Sequence, residues 1–374
     1  MNEPLHILVD GRGCRRKGSG VGRMIATVVD ELRSDGRFVF TVVTDTPEVW
    51  ASLPGVTCVS AGHGSGGWTE SQRLAWEQWH LRRIIRRVQP DVYWATWNAG
   101  VPWPCAVPSV LTVHDVIPLR HPDDFGSRLW QWSYRVALRL SLRAARRIVA
   151  VSEATRRDLA ARCGVDPARV TVVRHGVEPR FSPQAEAADF GLRGRVVLYV
   201  GGCEARKNLA SLLTAFDRVA ADPRLGDVTL AATGDRERLD ARAAEVLATM
   251  QYSDRVQLIG YVPDERLPHL YRRASVFAFP TLEEGFGFPP LEALACGVPV
   301  VASGADSMPE VLGQAAIMVE PPTVEALAAA LVDVLTHPAK AAELAHRGPE
   351  QAAKFSWPEA ARAMAAIFVE CARK

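Results

Sequence analysis

Short runs rich in β-branched residues alternate with helical patterns along this chain, and that rhythm narrows the folds open to it. LHILVD, FVFTVV, DVYWAT, SVLTVH, RIVAVS and VTVVRHG fall in the first half; RVVLYVGG, VTLAATG, VQLIGY, SVFAFPT, PVVAS and AIMVEP fall in the second. Neighbouring parallel strands need a crossover between them, and a helix supplies it, so the alternation predicts parallel sheets covered by helices on both faces. The chain of 374 residues exceeds one typical core and predicts two domains. Between the two sets of strands, GVEPRFSPQAEAADFGLRG (176–194) holds turn formers and no sustained period, which marks a linker. Helical patterns near 323–336, 338–350 and 357–372 follow the last strand. In the last of these Ser356 is placed to cap, Pro358 sits in the first turn, and Ala361, Met364, Ile367, Phe368 and Cys371 share one face that needs a partner. The periods of solenoids and propellers are absent.

No apolar run reaches the roughly 18 residues of a spanning helix, and MNEPLHILVD reads as a strand instead of a secretory signal, so a cytoplasmic location is expected. The seven cysteines are scattered without a Cys-x-x-Cys pair, which argues against a disulfide framework and a thiolate zinc site. The formal charge of +2 conceals an asymmetry: residues 1–185 hold 25 Lys/Arg against 17 Asp/Glu, and residues 186–374 hold 19 against 25. Nine of the ten tryptophans lie in the first half, several between Trp68 and Trp132. An arginine- and tryptophan-rich domain suits an anionic or sugar-bearing partner or a membrane surface, so peripheral contact at the inner membrane face is a second expectation; core tryptophans and solvated arginines are the plainer alternative. No nucleic-acid partner is expected.

Several strand ends carry residues with chemical meaning. In TLEEGFGFPPLEALACGVPVVAS (281–303), Glu284 sits in a glycine-flanked loop after a strand, and Glu292 lies on a helix expected to start near Phe288 after prolines suited to a first turn. In parallel sheets such loops lie at the carboxyl edge, where ligands bind. In YVGGCEARKNL, Arg206 and Lys207 stand just before the expected N-cap Asn208, at the positive end of a helix where cations are disfavoured unless they share an anion. Lysine is scarce, five against 39 arginines, so Lys207 stands out. The first loop, DGRGCRRKGSGVGRM, places glycines at 18, 20 and 22 before a helix expected near Val21, where amides can approach an anion. Arg23 occupies the place of the third glycine of a dinucleotide fingerprint, and no Walker sequence exists. SVLTVHDVIPLRHP ends its strand at His114 and Asp115; His114 is either structural or part of an edge site, and Asp115 is suited to capping the next turn. Ser152 is an expected N-cap. GYVPDERLPHLY offers Val262 and Asp264, the latter either a cap or an acceptor for guanine ring nitrogens.

GSGVGR, VHDVIPLRHP, VSEATRRDL, VVRHGVEPRF, YVGGCEARKNL, the block from Gly260 to Ser303 and FSWPEAA together resemble the retaining glycosyltransferases of family four, from about residue 6 to residue 365, with mannosyltransferase-like members nearest in the SGVGR and HDVIPLRHP segments. The resemblance implies an α/β chain of the GT-B class: two Rossmann-like, doubly wound parallel-sheet domains facing a central cleft. Residues 1–180 with the crossover helix 357–374 would form the acceptor-binding domain, and residues 181–356 the nucleotide-sugar-binding domain. It also implies roles. Glu284 faces the donor sugar's hydroxyls, with the backbone of Gly285, Phe286, Gly287 and Phe288 beside it; Glu292 binds the ribose. Arg206 and Lys207 clamp the diphosphate, Gly20 approaches the same phosphates, His114 meets the sugar's 6-hydroxyl or the acceptor, and the backbone at Val262 holds the nucleobase.

Glycosyl transfer leaves negative charge on the β-phosphate and positive charge on the anomeric carbon, so a cationic clamp is the main electrostatic aid. With that clamp and no Asp-x-Asp cluster in these places, no metal or other cofactor is expected. With no enzyme nucleophile evident, front-face transfer is the expected retaining route. The leading expectation is a hexosyltransferase taking GDP-mannose, on to a hydroxyl acceptor that is a glycan, a lipid-linked sugar or a natural product. The alternatives are a UDP-hexose-dependent transferase, a GT-B sugar-nucleotide epimerase and a non-catalytic nucleotide-sugar-binding protein.

Overall fold

The computed structural model describes residues 3–14, 20–62, 70–184 and 190–373, so Gly18 and Trp68 lie outside the described residues. The chain divides into two compact units, Met1–Gly176 with Ser356–Lys374, and Val177–Phe355.

The first unit holds seven strands, β1 (Leu5–Asp10), β2 (Phe38–Thr44), β3 (Val56–Ser60), β4 (Val92–Ala95), β5 (Ser109–Val113), β6 (Arg147–Ala150) and β7 (Val170–Val172). They pair in parallel in the order β3-β2-β1-β4-β5-β6-β7. Side chains alternate between the faces. Leu8, Tyr93, Leu111, Ile148 and Ala150 meet Leu81, Ile85, Leu138 and Leu142 from the helical segment 70–88 and the helix Arg128–Ala144. On the opposite face Thr112, Val149 and Val151 meet Met24 and Val28 of the helix Gly20–Arg33 and Ala360 and Met364 of the final helix Trp357–Ala372. The apolar stripe of that final helix is buried: Phe368 lies edge-on to Trp94 at 5.4 Å and to Phe38 at 6.4 Å. Ser356 caps it by accepting from the Glu359 amide, and Ser152 caps the helix Glu153–Cys163 from the Thr155 amide.

Among the described residues, β3 is the one strand that the apolar runs do not reveal. It lies at the sheet edge, and Thr57, Cys58 and Ser60 face solvent, so it needs no sustained apolar pattern.

The second unit holds β8 (Val196–Tyr199), β9 (Thr229–Ala232), β10 (Val256–Leu258), β11 (Val276–Phe279), β12 (Val300–Ser303) and β13 (Ala316–Val319), all parallel, in the order β10-β9-β8-β11-β12-β13. Val197, Tyr199, Leu230, Ala278 and Val301 bury one face against Leu213 and Phe216 of the helix Leu209–Ala220 and Leu327 and Leu331 of the helix Val324–Thr336. Elsewhere in this unit the helices Phe288–Ala295 and Pro338–Ala352 pack so closely that a Cβ on Gly348 would lie 2.7 Å from the Leu294 carbonyl oxygen. The described residues between 176 and 194 form neither helix nor strand. All seven cysteines are free thiols, and Cys14, Cys203, Cys296 and Cys371 are buried.

Candidate active site

In the second sheet the strand order reverses between β8 and β11: the chain builds outward from β8 on one side and from β11 on the other. The loops leaving their carboxyl ends diverge there and open the crevice where parallel sheets bind ligands. The loop after β8 carries Arg206 and Lys207 on a single 3-10 turn, Ala205–Lys207. Asn208 follows at the N-cap position of the helix Leu209–Ala220, but it does not cap. Its backbone is left-handed, at φ 59, and its side-chain amide turns away to donate to the Pro280 carbonyl at 3.1 Å. The expected cap is thus a tie to the neighbouring loop. A second tie is the Leu282 amide, which donates to the Arg206 carbonyl at 2.8 Å.

These ties bring Lys207 against Glu284: its ammonium pairs with the Glu284 carboxylate and lies 5.3 Å from the centroid of the Phe279 ring. Among the described residues no carboxylate forms an ion pair with Arg206, which is half-buried on the same turn.

Backbone contacts from the turn after β12 hold the Glu284 loop in place. Asp306 accepts from the Glu284 amide at 3.0 Å, and the Ser307 hydroxyl lies 3.0 Å from the carbonyl oxygens of both Glu284 and Phe286. Phe286 is buried edge-on to Phe355 at 5.9 Å, beside Gly285. Gly287 adopts φ 98, a conformation that favours glycine, and the helix Phe288–Ala295 then starts with prolines in its first turn, where amides lack helical partners anyway. Glu292 is buried on this helix and accepts from the Tyr271 hydroxyl at 2.9 Å. Asp306, Ser307 and Tyr271 escape sequence reasoning, because each acts from a distant segment that carries no motif of its own.

Val262 is buried beyond the end of β10, on the same carboxyl edge. Asp264 is half-buried and caps nothing: the helix Leu267–Arg273 begins later, with Arg266 at its N-cap position and no side-chain cap. The capping alternative for Asp264 is therefore corrected.

In the first sheet the order reverses between β1 and β4. Asp10 closes β1 and takes both Nε and Nη2 of Arg12, at 2.8 and 2.7 Å. Arg12 also reaches Glu77 at 3.0 Å and lies 4.2 Å over the Trp76 ring. Burial pushes the Asp10 carboxyl up, and the Arg12 guanidinium more than offsets this, holding it below its ordinary value. The Thr96 hydroxyl, beyond β4, donates to the Asp10 carbonyl. This knot fixes the start of the first loop; its sequence signal was the Asp-Gly-Arg that ends the first strand. Gly20 is the first residue of the helix that follows, with Gly22 buried close behind.

His114 stands immediately after β5. Its amide donates to Asn98 at 2.7 Å, and its Nε2 lies 2.9 Å from the Thr96 carbonyl oxygen. A carbonyl only accepts, so Nε2 carries the proton and Nδ1 is left as the acceptor. Burial depresses the His114 pKa to about 4, so the ring is neutral near pH 7. His175, 5.9 Å away between ring centroids, is buried; burial first, then the repulsion that a charged His175 would meet from a protonated His114 and from Arg23, holds it well below its usual value. Asp115 accepts from the Ile117 amide at 3.1 Å, the local turn expected of it.

Among the described residues no group of His, Cys, Asp and Glu is placed to hold a metal ion, and no helix is long and apolar enough to cross a membrane.

Two family models match the chain: Glycosyltransferase Family 4 over residues 18–181, and Glycosyl transferases group 1 over residues 194–337. The O-antigen chain mannosyltransferase B of Escherichia coli is 31% identical over 67% of this chain and 67% of its own length. The serotype-specific mannosyltransferase WbdA of Escherichia coli is 30% identical over 70% of this chain, which spans only 33% of that longer protein. Among solved structures, sucrose-phosphate synthase from Thermosynechococcus elongatus superposes with a TM-score of 0.79 at 17% identity, covering 99% of both chains, and shares the GT-B fold.

Proposed function

The chain belongs to glycosyltransferase family four and is a glycosyltransferase, and on that premise we propose that it moves mannose from GDP-mannose to a hydroxyl acceptor with retention of configuration and without a metal ion. One observation carries the reading: Arg206 and Lys207 share a turn with Glu284 beside it, where the strand order reverses between β8 and β11. Mannosyl specificity is supported by the two relatives named above, both mannosyltransferases.

In this reading the diphosphate takes the Arg206–Lys207 turn, and the two cations do the work of a divalent ion. The bond between the anomeric carbon and the β-phosphate oxygen breaks with its electron pair going to that oxygen, and the cations stabilise the charge. The acceptor oxygen bonds the anomeric carbon on the face just vacated, and its proton passes to the departing phosphate. Glu284 is freed from Lys207 as phosphate replaces it, and orients the sugar's hydroxyls. Glu292, held by Tyr271, takes the ribose hydroxyls, the backbone at Val262 meets the base, and Asp264 accepts from guanine. In the first unit, neutral His114 keeps Nδ1 as an acceptor suited to a substrate hydroxyl.

The test follows GDP-[1-13C]mannose by NMR with a panel of mannosides as acceptors and EDTA present. The reading expects GDP release together with an α-mannoside. A β-linked product, or turnover that appears only when a divalent metal is restored, contradicts it.

A further inference from the structure

The first unit exposes large aromatic and aliphatic side chains on one pair of helical segments and on the loop after β4 beside them. Trp79 is 65% exposed, Trp103 53%, Leu129 67% and Trp132 62%, so none of them contributes to the core. The segments 82–88 (RRIIRRV) and 128–144 (RLWQWSYRVALRLSLRA) contain eight arginines and no Asp or Glu. Helical spacing turns these residues into two stripes of the same design: Trp79, Arg83 and Arg86 on one rod, and Trp132, Arg135 and Arg139 on the other, all exposed.

The stripes lie on one surface. Both rods bury their opposite sides on the same face of the sheet, through Leu81 and Ile85 from one and Leu138 and Leu142 from the other. Both are crossovers between parallel strands and so run in the same direction. The loop after β4 ties them together: Gly100 and Val101 donate to Ser141 at 3.0 and 3.1 Å, and the Trp103 amide donates to Gln78 at 3.0 Å.

We propose that this face docks on an anionic lipid bilayer, with the indoles and Leu129 seated at the headgroup boundary and the arginine rows against the phosphates. The chemistry favours lipid over the alternatives. Indoles beside arginines match an interface that is apolar below and anionic above. A dimer of this face would set two arginine rows against each other, and neither 82–88 nor 128–144 holds an acidic residue to answer them.

The experiment sediments the full chain with phosphatidylcholine vesicles and with vesicles containing a roughly 30% fraction of phosphatidylglycerol, a composition in the range where surface charge attracts polybasic segments. Binding is expected to the anionic vesicles, to weaken with salt, and to be slight on the neutral ones. Each arginine at such a surface is worth about fivefold in partitioning, so Arg135→Gln with Arg139→Gln should weaken binding by roughly 25-fold. Trp132→Ala should weaken it with the arginines intact. These residues are exposed, so melting temperatures should hold; Arg347→Gln, in the second unit, serves as the unchanged control. Failure to bind anionic vesicles, binding indifferent to these substitutions, tighter binding to a duplex oligonucleotide, or dimerisation through the same residues in sedimentation velocity would each overturn the proposal.

Discussion

Lys207 pairs with Glu284 across the loops that follow β8 and β11. In the proposed reading a donor phosphate reaching Lys207 replaces the carboxylate and releases Glu284 toward the sugar. Removing one such charged donor costs on the order of 3 kcal/mol in the transition state, so Lys207→Ala should lower kcat by roughly 100-fold or more. Glu284→Gln should reduce turnover more than nucleotide affinity. Because the two side chains touch, the double variant should lose less than the product of the single losses. Independent, multiplicative losses would show that the two side chains act uncoupled, against the exchange of Glu284 for phosphate on Lys207.

Tyr271 is fully buried and donates to Glu292 at 2.9 Å, with its ring held edge-on to Phe277 at 5.5 Å. Tyr271→Phe keeps the ring and removes only the donor, which for a charged acceptor is worth about 1.5–3 kcal/mol. Nucleoside diphosphate affinity should fall about tenfold or more, as it should for Glu292→Gln, with kcat at saturating donor little changed. An unaltered affinity in both variants would remove Glu292 from the nucleotide site.

Gly348→Ala pits two effects against each other. Alanine in a helix gains about 1 kcal/mol over glycine, yet the new Cβ meets backbone, the Leu294 carbonyl oxygen at 2.7 Å, which cannot swing aside as a side chain would. The clash should win, and the melting temperature should fall. Gly36→Ala, where nothing lies within 4 Å, is the control and should be neutral. A rise in stability for Gly348→Ala would mean that the two helices separate freely.

His114 and His175 are both buried, and both are held below the usual histidine value. An unfolded histidine titrates near about 6.5, so below that pH the unfolded chain takes up protons that the folded first unit refuses. Their contribution to stability is whole above pH ~6.5 and is lost as pH falls, by about 1.4 kcal/mol per pH unit for each ring, until the folded ring of His114 itself protonates at about 4. Urea melts between roughly pH 6.5 and 5, above most carboxylate titrations, should show that slope, and His175→Gln should flatten it. A slope unchanged by the substitution would assign the pH dependence to other groups.

The strands were legible because parallel strands buried on both faces must be apolar, and Glu284 and Glu292 were legible because glycines, prolines and a carboxylate spacing stand out inside such a segment. Edge strand β3, half solvated, left no such trace. Asn208 misled because a left-handed residue that bonds a neighbouring loop has the same letter as an N-cap. The clamp of Asp306 and Ser307 on the Glu284 loop, and the bond from Tyr271 to Glu292, join residues about 20 apart in sequence through tertiary contacts. Local pattern holds no record of such contacts.

Calorimetric titration of the full chain with GDP-mannose in EDTA probes the proposed seat of the diphosphate on the Arg206–Lys207 turn. Saturable binding of GDP-mannose is expected, with weaker binding of UDP-glucose and a loss of about tenfold or more in affinity for both Arg206→Ala and Lys207→Ala, since a charge-assisted contact is worth roughly 1.5–3 kcal/mol. Tighter binding of UDP-glucose, or GDP-mannose affinity unchanged in both variants, would contradict it.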